Sequence, residues 1–262
     1  MILGAVIGDT VGSVYENNNI KTTDFPLFTA ESNYTDDTVL TVAVAEWLLT
    51  DHEHTLGTLE ESLVKWAKKY PKPAGGSYGT LFFDWVTNPD REPYQSWGNG
   101  SAMRCSAVGW AFNTLEETLE IAATSAEVTH NHPEGIKGAQ AVAAAIWMSR
   151  NGHSKKDIKD YITTKFNYDL NFTIDQIRPS YSFNESCKAT VPQSIVAFLE
   201  STDFESAIRL AVSLGGDSDT IASITGAIAE AFYKTVTAEM VTKMLEILPK
   251  EFINILAQFN KG

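Results

Sequence analysis

The sequence predicts an all-α fold built as one domain over residues 1–262. Three observations carry this. Apolar residues recur at i, i+3 and i+4 in segment after segment. Several segments open with Thr followed three residues later by Glu, the pattern of a capping box. Period-2 alternation, the mark of strands, is scarce. In chain order, Gly4, Gly8 and Gly12 recur at every fourth position, giving one smooth helix face for close packing, and Glu16 extends that face. The segment opened by Asp37 and Thr38 carries Leu40, Val44, Trp47 and Leu48. Helix starts follow at Thr58 with Glu61 and at Thr114 with Glu117. Ala139, Val142, Ala143, Ile146 and Trp147 form the next stripe, and Val191, Ile195, Phe198 and Leu199 another. Thr202 with Glu205 opens a helix bearing Ala207, Leu210, Ala211 and Leu214. Ile221, Ile224, Ile228 and Phe232 close the series. Gly, Pro and Asn gather between these segments at 71–79, 87–101, 131–135 and 151–154. Pro89 to Ser101 reads as the longest irregular stretch, and long loops inside compact domains are often functional.

Charge narrows the function classes. Twenty Lys and Arg stand against 33 Asp and Glu, a net charge of −13. Non-specific nucleic-acid binding needs the opposite excess, and anionic membranes repel such a chain. Hydrophobic residues at 44% suit a packed globule rather than a disordered chain. Met1 to Asp9 has no basic region and too short an apolar run for a signal segment. No stretch approaches the ~20 apolar residues of a membrane span. Cys105 and Cys187, the two cysteines, make neither a disulfide framework nor a zinc site. The expectation is a cytoplasmic monomer with reduced thiols.

Two acidic segments carry the chemistry. One is Tyr34-Thr35-Asp36-Asp37-Thr38; the other is Gly215-Gly216-Asp217-Ser218-Asp219-Thr220. Each lies directly before an apolar-periodic helix and has hydroxyls beside its acids. A pair of N-caps would account for one acid at each start, but not for the second acid, nor for the paired glycines. Asp and Thr oxygens are hard ligands, suited to Mg²⁺ or Mn²⁺ rather than zinc. If the two segments meet in space, four carboxylates converge, which calls for cations.

Two small-residue loops, Ala74-Gly75-Gly76-Ser77-Tyr78-Gly79 and Gly98-Asn99-Gly100-Ser101-Ala102-Met103-Arg104, could present backbone N–H groups to an anion. Arg104 could meet a phosphate or form a structural ion pair. His130 and His132 flank a turn at Asn131 and Pro133, where turn or core-edge roles are expected. His52 and His54 read as solvated surface in an acidic loop.

Together and in this order, these motifs resemble the ADP-ribosylglycohydrolase family. The matching residues are Gly8-Asp9-Thr10-Val11-Gly12 with Glu16, then Thr35-Asp36-Asp37-Thr38. Gly98-Asn99-Gly100-Ser101-Ala102-Met103-Arg104 follows, then Thr129-His130 with Gly138-Ala139, then Gly215 to Thr220. The resemblance implies an orthogonal helical bundle with two Mg²⁺ (or Mn²⁺) ions in a cleft. It implies Thr35, Asp36, Asp37, Asp217, Asp219 and Thr220 as metal ligands. It implies Glu16, Asp36 and Asp217 as catalytic residues. ADP-ribose would be held by Gly76, Ser77, Tyr78 and Gly79 from one loop, and by Gly98, Asn99, Gly100, Ser101, Met103 and Arg104 from the other. His130 would line the same site.

The implied reaction is metal-dependent release of ADP-ribose from an ADP-ribosylated protein or small molecule, through an oxocarbenium-like state at the ribose. Arginine is the linkage favoured here; Asp84, Asp90, Glu92 and Tyr94 could meet a guanidinium or stand as solvated surface. Serine-linked and O-acetyl-ADP-ribose substrates, a two-metal nucleotide phosphohydrolase and a non-catalytic ADP-ribose binder are the alternatives.

Overall fold

The computed structural model describes residues 2–260. Fifteen helices lie among them: α1 Leu3–Glu16, α2 Asp36–Thr50, α3 Leu56–Lys69, α4 Thr80–Thr87, α5 Gly100–Met103, α6 Ser106–Ala111, α7 Leu115–Glu127 and α8 Pro133–Arg150. The second half supplies α9 Lys155–Phe166, α10 Ile174–Ile177, α11 Cys187–Glu200, α12 Phe204–Val212, α13 Ser218–Tyr233, α14 Ala238–Ile247 and α15 Lys250–Phe259. No strand occurs among the described residues; Gly98 and Ser186 form an isolated antiparallel bridge. The all-α expectation holds.

The glycine stripe explains the centre of the molecule. α1 lies antiparallel against α13 at a distance that admits no side chain between them. A Cβ on Gly4 would sit 2.3 Å from the Gly226 carbonyl oxygen, and one on Gly8 2.0 Å from that of Ala222. A Cβ on Gly12 would sit 2.5 Å from Asp219 Cα. The buried Glu230 of α13 accepts a hydrogen bond from the Gly4 N–H (2.8 Å), satisfying one of the orphan donors at the start of α1. α8 packs against α7, α6, α5, α11 and α13, and its alanine-rich faces are buried.

Helix starts follow sequence chemistry, with small shifts. Thr35 caps α2 by accepting from the Asp37 N–H, and Thr114 caps α7 as expected. α3 begins at Leu56 because Thr55, not Thr58, takes the cap. Asp203, not Thr202, caps α12 in a reciprocal box with Ser206. His132 caps α8 ahead of Pro133, so the turn role expected of it holds. Residues 17–35 form a longer irregular run than 88–99, contrary to expectation. That run is held by Asn19, whose side chain accepts from the Gly216 N–H (2.6 Å) and donates to the Gly216 carbonyl (3.1 Å). Gly215 and Gly216 take φ of +66° and +72°, backbone conformations that side chains disfavour. His54 also departs from its surface reading: it packs edge-on against Trp47 and Phe112.

The α1–α13 contact yields a stability test. Gly8→Ala is expected to destabilise by roughly 1–3 kcal/mol through overpacking. Gly57→Ala, where an added Cβ meets nothing within 4 Å, is expected to stabilise by about 0.5–1 kcal/mol. Thermal or denaturant unfolding of both variants measures the contrast.

Candidate active site

The two acidic segments converge. α1 ends beside the start of α13, so Glu16 arrives next to Asp217 and Asp219, and one oxygen of each lies within 4.8 Å of the others. The Thr220 hydroxyl donates to Asp37 Oδ2 (3.2 Å), joining the second segment to the first. Asp36, half-buried, faces the same cleft. Among the described residues, the trio with converging oxygens contains Glu16 in place of Asp36, so Glu16 stands within the acidic centre rather than beside it.

Neither acidic segment is a set of N-caps. Thr35 holds the cap of α2, and Asp217 sits at the N-cap position of α13 without making a cap bond. Asp217 Oδ2 instead accepts from Asn99 Nδ2 (2.6 Å). Asp37 Oδ1 and Asp219 Oδ1 are buried without a hydrogen-bond partner. Buried, unpartnered carboxylate oxygens are costly, and hard oxygen ligands of this kind match a divalent cation. The donor set therefore fits a metal site.

Asp9 anchors this arrangement and escaped the sequence reading as a site residue. It is wholly buried. Its Oδ1 accepts from the Thr35 hydroxyl (2.7 Å), and its Oδ2 from the Thr35 N–H (3.0 Å) and the Thr38 N–H (3.1 Å). The Thr38 hydroxyl donates to it as well. Thr35 thus turns its proton toward Asp9 and keeps a lone pair for another partner. The signal for Asp9 in the sequence is an acid in mid-helix on a stripe of small residues.

The electrostatics follow from burial and crowding. Burial, then the Asp219 charge, pushes Asp9 up to about 7. Burial pushes Glu16 up to about 7 too, with Asp219, Asp9 and Glu185 adding to it. Burial and Asp219 likewise hold Asp36, Asp37 and Asp217 well above the usual carboxylate range. Burial, then the Arg104 charge, holds His130 well below its ordinary value.

The cleft around these acids has a volume of about 480 Å³, within the range of small-molecule sites. Ser77, Tyr78 and Gly79 line one wall; Gly98, Asn99, Gly100 and Met103 line the other. Arg104 and His130, both buried, also line it. Gly76, Ser101 and Thr35 do not line the cleft: a Cβ on Gly76 would meet Thr35 Cγ2 at 3.1 Å, and the Ser101 hydroxyl donates to the Gly135 carbonyl (2.8 Å). Two amides of the second loop are already engaged, Gly98 N–H with Ser96 Oγ (3.1 Å) and Asn99 N–H with the Glu185 carbonyl (2.7 Å). Arg104 forms no ion pair among the described residues, which sets aside the structural salt bridge. Asp84, Asp90 and Glu92 lie exposed away from the cleft, whereas Tyr94 lines it. The acid at the cleft wall is Glu185, which the sequence reading missed.

A family model described as ADP-ribosylglycohydrolase matches residues 1–258. The chain belongs to the ADP-ribosylglycohydrolase family. The ADP-ribosylhydrolase ARH3 of Mus musculus is 25% identical over 304 residues, covering 88% of this chain and 82% of that protein. The ADP-ribosylarginine hydrolase Tri1 of Pseudomonas putida (strain GB-1) is 25% identical over 266 residues, covering 88% of this chain and 69% of Tri1. A solved structure named an ADP-ribosylglycohydrolase-related protein complex matches in fold, with a TM-score of 0.75 at 20% identity, covering 99% of this chain and 95% of that one. As a member of the ADP-ribosylglycohydrolase family, the chain is a glycosidic-bond hydrolase that releases ADP-ribose. Among the described residues, no helix is long and apolar enough to cross a membrane.

The raised carboxylates give a sign to pH dependence. Folded Asp9 and Glu16 hold protons up to about 7, whereas unfolded carboxylates lose theirs near 4. Their contribution to stability is full below about 4 and is lost as pH rises through 7. A bound cation offsets that loss. EDTA is therefore expected to lower the melting temperature strongly at pH 8 and little at pH 5. Asp219→Asn is expected to raise the melting temperature in EDTA and to shrink the Mg²⁺-induced shift. Thermal melts across pH, with and without Mg²⁺, measure both.

Proposed function

We propose that this chain hydrolyses the bond between ADP-ribose and an arginine side chain. In this reading two Mg²⁺ (or Mn²⁺) ions are held by Thr35, Asp36, Asp37, Asp217, Asp219 and Thr220. The observation that carries it is the convergence of two acidic segments far apart in the chain on one cleft, with Asp37 Oδ1 and Asp219 Oδ1 left unpartnered. Divalent ions there would supply positive charge for orienting ribose oxygens and activating water.

The chain's own residues do the rest. Glu16, held near 7, can carry or release a proton at neutral pH, as the departing nitrogen and the attacking water require. The surrounding carboxylates favour the positive charge that develops on the ribose ring. The Gly100 amide, with the 77–79 loop, is suited to the diphosphate. Asp9 and Asn99 keep Thr35 and Asp217 in position through the bonds described above.

Glu185 favours the arginine linkage. Its carboxylate is exposed at the cleft wall and close enough to Glu16 for their charges to interact. A guanidinium leaving beside Glu16 would meet this acid. Tri1, by its name, acts on ADP-ribosylarginine. Two buried free cysteines suit a reducing, cytoplasmic setting.

The test compares one protein ADP-ribosylated on arginine with another modified on serine, in steady-state kinetics. The arginine-linked substrate is expected to turn over faster. Glu16→Gln is expected to lower kcat by roughly 10²–10⁴-fold. Faster turnover of the serine-linked substrate would contradict the linkage, and unchanged kcat in Glu16→Gln would contradict the role of Glu16.

A further inference from the structure

Arg104 is a wholly buried cation with no carboxylate partner among the described residues. Its Nη2 donates to the Ser125 carbonyl (2.8 Å) and to Thr129 Oγ1 (2.9 Å). Thr129 Oγ1 stands 2.7 Å from His130 Nδ1. Backbone bonds from the Thr129 and His130 N–H groups to the Ala126 carbonyl (3.1 and 2.7 Å) fix this corner at the end of α7. Burying an arginine in this way is expensive, and the catalytic scheme above gives it no task.

The proton count assigns one. A guanidinium has donors and no acceptor. The Thr129 hydroxyl accepts from it and has a single proton to give. Among the described residues, His130 Nδ1 is the one acceptor within hydrogen-bond distance of that hydroxyl. The Thr129 proton then points at His130 Nδ1, which must accept. In a neutral imidazole the ring proton is left on Nε2. That nitrogen faces the second loop: a Cβ on Gly100 would lie 3.1 Å from it, and one on Gly98 3.6 Å.

We propose that Arg104, acting through Thr129, is a positioning residue that locks His130 as a neutral Nε2–H donor aimed at an acceptor oxygen of the ADP-ribose held by the 98–100 loop. The opposite tautomer would turn a lone pair toward that oxygen and repel it. The Arg104 charge also disfavours a second proton on the ring. The ligand side of this proposal rests on the function proposed above; the tautomer itself does not.

The experiment is long-range ¹H–¹⁵N NMR of the free, ¹⁵N-histidine-labelled full chain, followed by ADP-ribose titration calorimetry. Wild type is expected to show His130 protonated at Nε2 alone. Thr129→Val, which keeps shape and removes the hydroxyl, is expected to show mixed tautomers and an ADP-ribose Kd weaker by about tenfold. Thr129→Ser is expected to restore both, which a purely structural loss of the methyl would not do. A wild-type His130 protonated at Nδ1 would overturn the proposal. So would a Thr129→Val variant with wild-type tautomer and affinity. Failure of wild type to bind ADP-ribose would instead overturn the hydrolase reading and the ligand side, while the spectrum still decides the lock.

Discussion

The close approach of α1 to α13 is the constraint on which the rest depends. Three glycines on one helix meet Gly226, Ala222 and the backbone of Asp219 on the other, without room for a single added carbon. Dense packing of this kind transmits position with little slack. It fixes Asp219 against the last turns of α1 and delivers Glu16 to the same place. Asp9, one turn from Gly12 on α1, reaches the other way and holds the start of α2. One helix therefore organises both acidic segments.

That organisation concentrates negative charge where water cannot dilute it. Side chains around the cluster orient the acids rather than neutralise them: Asn99 donates to Asp217, and Thr220 to Asp37. In the proposed reading, cations would complete such a site and let a chain of net charge −13 take a diphosphate. The positive members of the cleft are few and differently placed. Arg104 is wholly buried at the cleft and donates to Ser125 and Thr129.

Much of this was legible in the sequence because it rests on local pattern. The helical stripes, the glycine period and the doubled acids before two helices each have a short-range physical cause. The family resemblance then named the chemistry. Long-range polar contacts were not legible. Nothing near Asp9 says that its partners are Thr35 and Thr38 across a loop, and nothing near Asn99 says that its side chain ties to Asp217. Glu185 sits in an unremarkable loop, and its place at the cleft comes from the Gly98–Ser186 bridge beside it. The cap shifts at Thr55 and Asp203 reflect neighbouring residues that bond equally well, so tertiary packing chooses between them.

The central claim is that the converged acids form a cation centre required for releasing ADP-ribose. The most direct measurement strips the protein of metal, supplies an arginine-linked mono-ADP-ribosylated protein, and identifies products by mass spectrometry before and after Mg²⁺ is restored. Intact ADP-ribose that forms only with Mg²⁺ is the predicted result. Undiminished release in EDTA would contradict the cation requirement, and AMP in place of ADP-ribose would move the reaction to the diphosphate.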